Sequence, residues 1–277
     1  MNKEIKLCAF ADEASTELSG QIDALKRNGI GLLEIRGVDK ENIKDISYDK
    51  IKEIKKQLDA NGIKVWSLGS PVGKYKLEDD FCNQLDEFKK LCEFCDILEC
   101  QRIRMFSFYS KDRERVFDRL ESFVNSAPEG VILCHENEKD IFGDDIEGCV
   151  SILKEFPQIK AVFDPANFVQ CDVDTLEAWE KLSGYVDYMH IKDALKDKRV
   201  VKAGAGIGNV EKLIKMYSDQ GGSVLTLEPH LMEFHGLSAL ENGQSINHIE
   251  TYENENVAFD AGVSALKNIL DRLDLRY

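Results

Sequence analysis

Eight times along this chain a short apolar run is followed by a longer segment with helical hydrophobic spacing, and that alternation narrows the folds open to it. The apolar runs occupy residues 5–10, 32–35, 64–68, 102–108, 130–134, 159–163, 185–191 and 223–227. Their starts lie roughly 25 to 40 residues apart, about the length of one strand–helix unit. Residues 17–28 place Leu18, Ile22 and Leu25 on one helical face and stop before Gly29. Residues 49–60 repeat the design with Ile51, Ile54 and Leu58 and stop at Asn61-Gly62. The same spacing predicts helices over 79–94, 113–124, 145–156, 174–182, 209–220 and 257–273. Short runs that need cover on both faces imply a parallel sheet wrapped by helices, and eight such units favour a closed (β/α)8 TIM barrel. No glycine-rich dinucleotide fingerprint follows the first strand, which argues against an open doubly wound sheet.

No Pro/Ser-rich linker or charge tract divides the chain, so residues 1–277 are expected to form a single barrel domain. The longest irregular stretch, 232–255, contains Asn242-Gly243 and is expected to be a loop insertion. The N-terminus lacks a signal-like apolar run, and no stretch approaches the roughly 18 apolar residues of a membrane span. A cytoplasmic protein with reduced thiols is therefore expected, and its eight cysteines are not a disulfide framework. Cys92 and Cys95 resemble a zinc or redox pair, but they sit three apart on the apolar face of a helix and read as core. A net charge of −15 repels phosphate backbones, which excludes nucleic acid as the expected partner and leaves a small molecule. Nothing in the sequence identifies an interface, so a homo-oligomer is left open.

In a (β/α)8 barrel the chemistry lies at the C-terminal ends of the strands. The fifth run ends in His135-Glu136-Asn137-Glu138, the sixth reaches Asp164 with Asn167 beyond it, the seventh carries His190, Lys192 and Asp193, and the eighth ends in Glu228-Pro229-His230. Adjacent strands lie about 4.8 Å apart, so these groups can converge. Three carboxylates and one imidazole suit Mn²⁺, Mg²⁺ or Co²⁺ better than a thiolate-seeking ion.

Across its length the chain resembles the sugar-phosphate isomerase/epimerase group of xylose-isomerase-like TIM barrels. The resemblance rests on FADEAS (10–15), LEIRGVD (33–39), GSPVGK (69–74), IRMFSFY (103–109), HENE (135–138), FDPANFVQC (163–171), MHIKDA (189–194) and LEPHL (227–231). It implies one divalent metal ion, Mn²⁺ first with Mg²⁺, Co²⁺ or Zn²⁺ as alternatives, held by Glu136, Asp164, His190 and Glu228. In the related ketose epimerases the two glutamates are also the acid/base pair, which implies those roles for Glu136 and Glu228. Those epimerases carry a His three positions after the metal Asp, where this chain has Asn167. They place an Arg soon after the seventh-strand His, where this chain has Lys192-Asp193.

The implied reaction begins with removal of the proton α to a carbonyl of a sugar or sugar phosphate. The metal stabilises the enediolate, one carboxylate takes the proton and the other returns it. Lys192 can polarise a carbonyl or, with Asp193, form a surface ion pair. Asp193, Arg36, Lys74, Arg104, Asn167 and His230 are further substrate-contact candidates. For Arg104 the alternative is a buried ion pair with Glu34, and for His230 a supporting contact to the metal ligands. His135 points away from Glu136 by strand alternation and reads as structural. Gly204, Gly206 and Gly208, with Lys202 nearby, form either a phosphate-binding loop or a plain turn. An inosose-dehydratase-like lyase shares the first step. An endonuclease IV-like phosphodiesterase or a non-catalytic sugar-binding protein would use the same barrel differently.

Overall fold

The computed structural model describes residues 4–235 and 250–277. Eight strands close into a parallel barrel: β1 (Lys6–Ala9), β2 (Leu32–Ile35), β3 (Lys64–Gly69), β4 (Arg102–Met105), β5 (Ile132–Glu136), β6 (Lys160–Phe163), β7 (Val186–Ile191) and β8 (Val224–Leu227). They run in sequence order around the barrel, and β1 closes on β8 through the register Lys6 to Val224 and Ala9 to Leu227. All eight apolar runs are strands of this barrel. The helices between them are α1 (Leu18–Arg27), α2 (Tyr48–Ala60), α3 (Phe81–Leu98), α4 (Arg113–Ser126), α5 (Ile146–Glu155), α6 (Pro165–Gln170), α7 (Thr175–Leu182), α8 (Val210–Asp219) and α9 (Glu255–Arg272).

Helix starts are set by short polar side chains that satisfy the otherwise orphaned first-turn N–H groups. Ser47, Asp80, Asp112, Asp145 and Asp174 each accept a backbone hydrogen bond at the start of α2, α3, α4, α5 and α7. Among the described residues the one α-helix not expected from periodicity is α6. It is six residues long, starts with Pro165 and is capped by Asp164, whose side chain accepts from the Asn167 N–H. Two small antiparallel ribbons also lie outside the barrel, pairing Gly37–Val38 with Glu41–Asn42 and Asp193–Ala194 with Val200–Val201. Of the expected 232–255 loop, positions 236–249 lie outside the described residues.

Strand alternation divides the core in two. Leu33, Ile35, Ile103, Met105, Leu133, Phe163, Met189 and Leu225 pack with the helices in one large cluster. Cys8, Cys134, Val162, Tyr188 and Val224 form a separate cluster filling the lumen. A step of two residues beyond Cys134, Val162 and Tyr188 lands on Glu136, Asp164 and His190. The apolar lumen thus forms the floor beneath those three side chains. Among the described residues no helix is long and apolar enough to cross a membrane.

All eight cysteines are free; six are buried, Cys171 is half-buried and Cys82 is exposed. Burial also pushes the Cys171 thiol up to about 12, starving it of thiolate. In native protein, Ellman's reagent should therefore label Cys82 rapidly and Cys171 slowly, with all eight reacting only after denaturation. Loss of the rapid phase in Cys82→Ser would confirm the assignment, and three or more rapid thiols in the native protein would contradict this packing.

Candidate active site

Glu136, Asp164, His190 and Glu228 converge, each offering one ligand atom, with those atoms within 4.8 Å of one another. All four are buried, at 3% exposure or less. His190 Nδ1 lies 3.0 Å from Glu136 Oε1 and 3.6 Å from Glu228 Oε2. The two oxygens of Asp164 are divided between tasks. Oδ1 accepts the capping bond from Asn167 N at 3.0 Å, while the enclosed Oδ2 has no hydrogen-bond partner. Lys192 Nζ stands 3.1 Å from that Oδ2 at ion-pair distance, and 3.2 Å from Glu228 Oε2.

Cations surround the carboxylates. Arg104 donates to Glu136 Oε2 at 2.7 Å, and Arg36 donates to Glu228 Oε1 at 2.7 Å. Arg36 also holds both oxygens of Asp12, at 2.8 and 3.0 Å, and reaches Glu13 at 3.3 Å. Its guanidinium is sandwiched by the rings of Phe10 and Phe234, at 4.3 and 4.9 Å. His230 Nε2 lies 3.3 Å from Glu228 Oε1, and the His230 N–H donates to Glu13 at 2.8 Å. Asn167 donates to Glu136 Oε1 at 3.2 Å.

These contacts separate the proton affinities of the acids. Burial alone would raise Glu136, but His190 and Arg104 overcome it and hold the carboxyl down at about 2. Burial likewise opposes ionisation of Glu228, yet Lys192 and His230 keep it well below the usual range. Asp164 goes the other way, raised to about 6 by burial and by Glu136 and Glu228 against the pull of Lys192. Glu13 is also raised, by burial first.

Around the cluster, Glu13, Glu34, Glu136, Asp164 and Glu228 are buried carboxylates, against the permanent cations Arg36, Arg104 and Lys192. Two more anions than permanent cations, three oxygens and one imidazole nitrogen, and the unbonded Asp164 Oδ2 together fit a hard or borderline divalent cation. The four groups are thus able to hold a metal ion.

Each expected site residue can be placed against this frame. Lys192, Arg104, Arg36, Asn167 and His230 each touch at least one of the four clustered groups. Lys74 lies beyond them, paired with Glu138 at 2.8 Å, with its ammonium 4.7 Å above the Phe106 ring. It lines a cavity of about 510 Å³ together with Asp12, Arg36, Lys40, Tyr75, Tyr109 and His235. Arg36 joins this cavity to the cluster.

The contacts go against the substrate role expected of Asp193 and bear on three readings that were left as alternatives. Lys192 and Asp193 form no surface ion pair: both are buried and point apart, as alternation requires. Asp193 is not available to a substrate either. Its Oδ1 accepts from Ala194 N and Gly208 N, each at 2.9 Å, and its Oδ2 from Gly204 N and Gly206 N, each at 3.0 Å. The glycine loop is therefore an anion cradle filled by the chain's own carboxylate, and a Cβ at Gly206 would collide with it. Third, Arg104 pairs with Glu136, while Glu34 accepts from Tyr188 Oη at 2.8 Å and sits 3.2 Å from His190 Nε2. His135 faces Ser107 Oγ at 2.9 Å and is lowered to about 4 by burial, so it stays neutral near pH 7.

Some contributors were not foreseen. The Asn137 carboxamide clamps the Asp164 backbone, donating to its C=O and accepting from its N–H, both at 2.9 Å. This bond braces the ends of β5 and β6 against each other. Asp12 and Glu13 hold Arg36 from the turn after β1; their only signal was membership of the FADEAS stretch.

A sequence profile described as "Xylose isomerase-like TIM barrel" matches residues 22–253. The chain belongs to this family. Solved structures share its fold at low identity. A D-psicose 3-epimerase with D-tagatose from Clostridium cellulolyticum H10 superposes with a TM-score of 0.75 at 16% identity, covering 99% of this chain and 100% of that one. The IolI protein with a bound zinc atom gives 0.73 at 17% identity over 97% and 99%. The probable 3-DHS dehydratase AsbF from Bacillus anthracis gives 0.70 at 15% identity over 96% and 99%. Comparison with curated protein sequences finds no match.

Asp193→Asn tests the filled cradle. An amide in place of the carboxylate turns its NH₂ towards two of the backbone N–H groups, and each orphaned donor costs about 1–3 kcal/mol. Urea melts should show a loss of about 2–6 kcal/mol, with faster hydrogen exchange at Gly204 and Gly206. A variant as stable as the parent would mean the loop does not depend on this anion.

Proposed function

We propose that this chain is a divalent-metal-dependent isomerase or epimerase of a sugar or sugar phosphate, with Glu136 and Glu228 as the acid/base pair. The observation that carries this reading is the four-group cluster, in which one Asp164 oxygen accepts no hydrogen bond and meets only the Lys192 ammonium. Glu136, Asp164, His190 and Glu228 would hold the ion, with Mn²⁺ the first choice for an oxygen-rich set and Mg²⁺, Co²⁺ or Zn²⁺ as alternatives. When bound, it would supply Lewis-acid stabilisation of negative charge developing on substrate oxygens. Sugar epimerases among the structural neighbours, and zinc in the IolI neighbour, support the same reading.

The chain's own groups account for the rest. Glu136 and Glu228 are both kept ionised by neighbouring cations, so either can accept a proton from the carbon beside a carbonyl. His190 Nδ1 lies near an oxygen of each, so the two carboxylates border the same small volume. Arg104 and Asn167 orient Glu136, and Arg36 and His230 orient Glu228. The apolar lumen of Cys134, Val162 and Tyr188 keeps water from beneath them. The cavity that Arg36 shares offers polar walls to a polyhydroxylated substrate.

A second reading, a dehydratase of a hydroxylated carbonyl compound, is favoured by one observation. The Lys192 ammonium stands between Asp164 and Glu228, where it can protonate a departing hydroxyl.

Purified protein equilibrated with Mn²⁺ should carry close to one ion per chain, and Glu136→Gln and Glu228→Gln should each weaken uptake markedly. A panel of ketoses and ketose phosphates in D₂O should show deuterium entering beside the carbonyl without loss of water. Either glutamate substitution should slow that exchange by about 10²–10⁴-fold. Water loss with a new unsaturated product would select the dehydratase. Absence of metal from the wild type would overturn both readings.

A further inference from the structure

His190 is the single imidazole among the four clustered groups, and its two nitrogens face different carboxylates. Nδ1 faces the cluster, 3.0 Å from Glu136 Oε1. Nε2 points into the lumen, 3.2 Å from Glu34 Oε2. Glu34 lies on β2 across the barrel from β7 and is completely enclosed, at 0% exposure. Its other oxygen, Oε1, accepts from the Tyr188 hydroxyl at 2.8 Å, and that hydroxyl also lies 3.2 Å from Ser67 Oγ. Tyr188 itself comes from the strand that carries His190, two residues earlier on the same face. The imidazole cannot easily turn between these partners. Phe10 packs edge-on to it at 5.2 Å and 80°, and the Tyr188 ring lies against it at 5.6 Å and 60°.

A neutral imidazole has one N–H and one lone pair, and only the lone pair can bind a cation. Both nitrogens lie at hydrogen-bond distance from a carboxylate that can only accept, Nδ1 from Glu136 and Nε2 from Glu34. Glu34 stands outside the four-group cluster, so a cation held by that cluster can replace the proton only at Nδ1, while Nε2 keeps its N–H on Glu34.

We propose that Glu34, held by Tyr188, is a positioning residue that fixes the His190 tautomer and makes Nδ1 the metal-binding nitrogen. This rests on the proposed metal centre and extends it to two residues outside the four ligands. Tyr188 serves a double purpose, as it fills the lumen with its ring and aims Glu34 with its hydroxyl. The charge of Glu34 also makes the imidazole a stronger donor than a neutral acceptor would.

The test combines Co²⁺ titration with long-range ¹H–¹⁵N spectra of the Zn²⁺-loaded protein, in which His190 signals are assigned by their loss in His190→Gln. In the wild type the spectra should show a protonated Nε2 and a metal-bound Nδ1. Glu34→Gln keeps the shape and an oxygen acceptor but loses the charge, and should weaken Co²⁺ binding about 10-fold. Glu34→Leu removes the acceptor and should weaken it about 100-fold, in line with the usual effect of a ligand's outer partner. Tyr188→Phe, which leaves the lumen filled, should shift affinity in the same direction by less, and it guards against misfolding of the Glu34 variants. Metal on Nε2, or wild-type affinity in folded Glu34 and Tyr188 variants, would overturn the assignment of Glu34 alone. A wild type that binds neither Co²⁺ nor Zn²⁺ would overturn the metal centre itself, and this role with it.

Discussion

A carboxylate taken out of water must be met by a cation or by N–H donors within a few ångströms, and the mouth of this barrel is organised by that requirement. Closure of the parallel sheet brings the ends of β5, β6, β7 and β8 to one point, and each contributes a charged or ionisable group there. Glu13 and Glu34 add two further buried anions from the other side. The chain meets this load with two arginines, a lysine and two histidines, none of them left on the surface. Several of these cations also rest on aromatic faces: Arg36 between Phe10 and Phe234, Arg104 near Phe10 and Phe106. Buried ion networks of this kind add little net stability compared with an apolar core, yet they tolerate loss of a member poorly. Their value here is geometric, because each carboxylate is held from two sides and cannot drift.

The period of the sequence was enough to place eight strands and eight of the helices, because burial on both faces of a strand and on one face of a helix leaves unmistakable spacings. It also placed the site at the strand ends, since that follows from the closed parallel sheet. Contacts across the lumen were harder to foresee. Alternation says that Glu34 and Arg104 both point inward, but not which inward-facing group each will meet. A Glu34–Arg104 pair was one of two readings of Arg104, whereas Glu34 meets Tyr188 and His190 on β7, and Arg104 meets Glu136 on β5.

Helix α6 escaped notice for a different reason. Six residues are too few for a hydrophobic period, and the only local signal was an Asp followed by Pro, an N-cap and first-turn pair. The glycine loop carried a true signal with two meanings. Its backbone N–H groups do gather around an anion, but the anion is Asp193, fifteen residues or fewer before each glycine that holds it. Nothing in the spacing distinguishes a cradle awaiting a phosphate from one already occupied.

The division of labour within Asp164 carries a wider consequence. One of its oxygens starts α6 and the other faces the cluster, so the side chain is a rigid coupling between a helix and a candidate ligand site. Asn167, on the first turn of that helix, reaches back to Glu136, and Ala166 and Val169 pack against Ala194 beside the filled glycine loop. A force on the oxygen that faces the cluster is therefore passed along α6 to the loop segment that follows Lys192. Reshaping of the surrounding loops can vary what the barrel mouth admits, but this junction has no slack in which to vary.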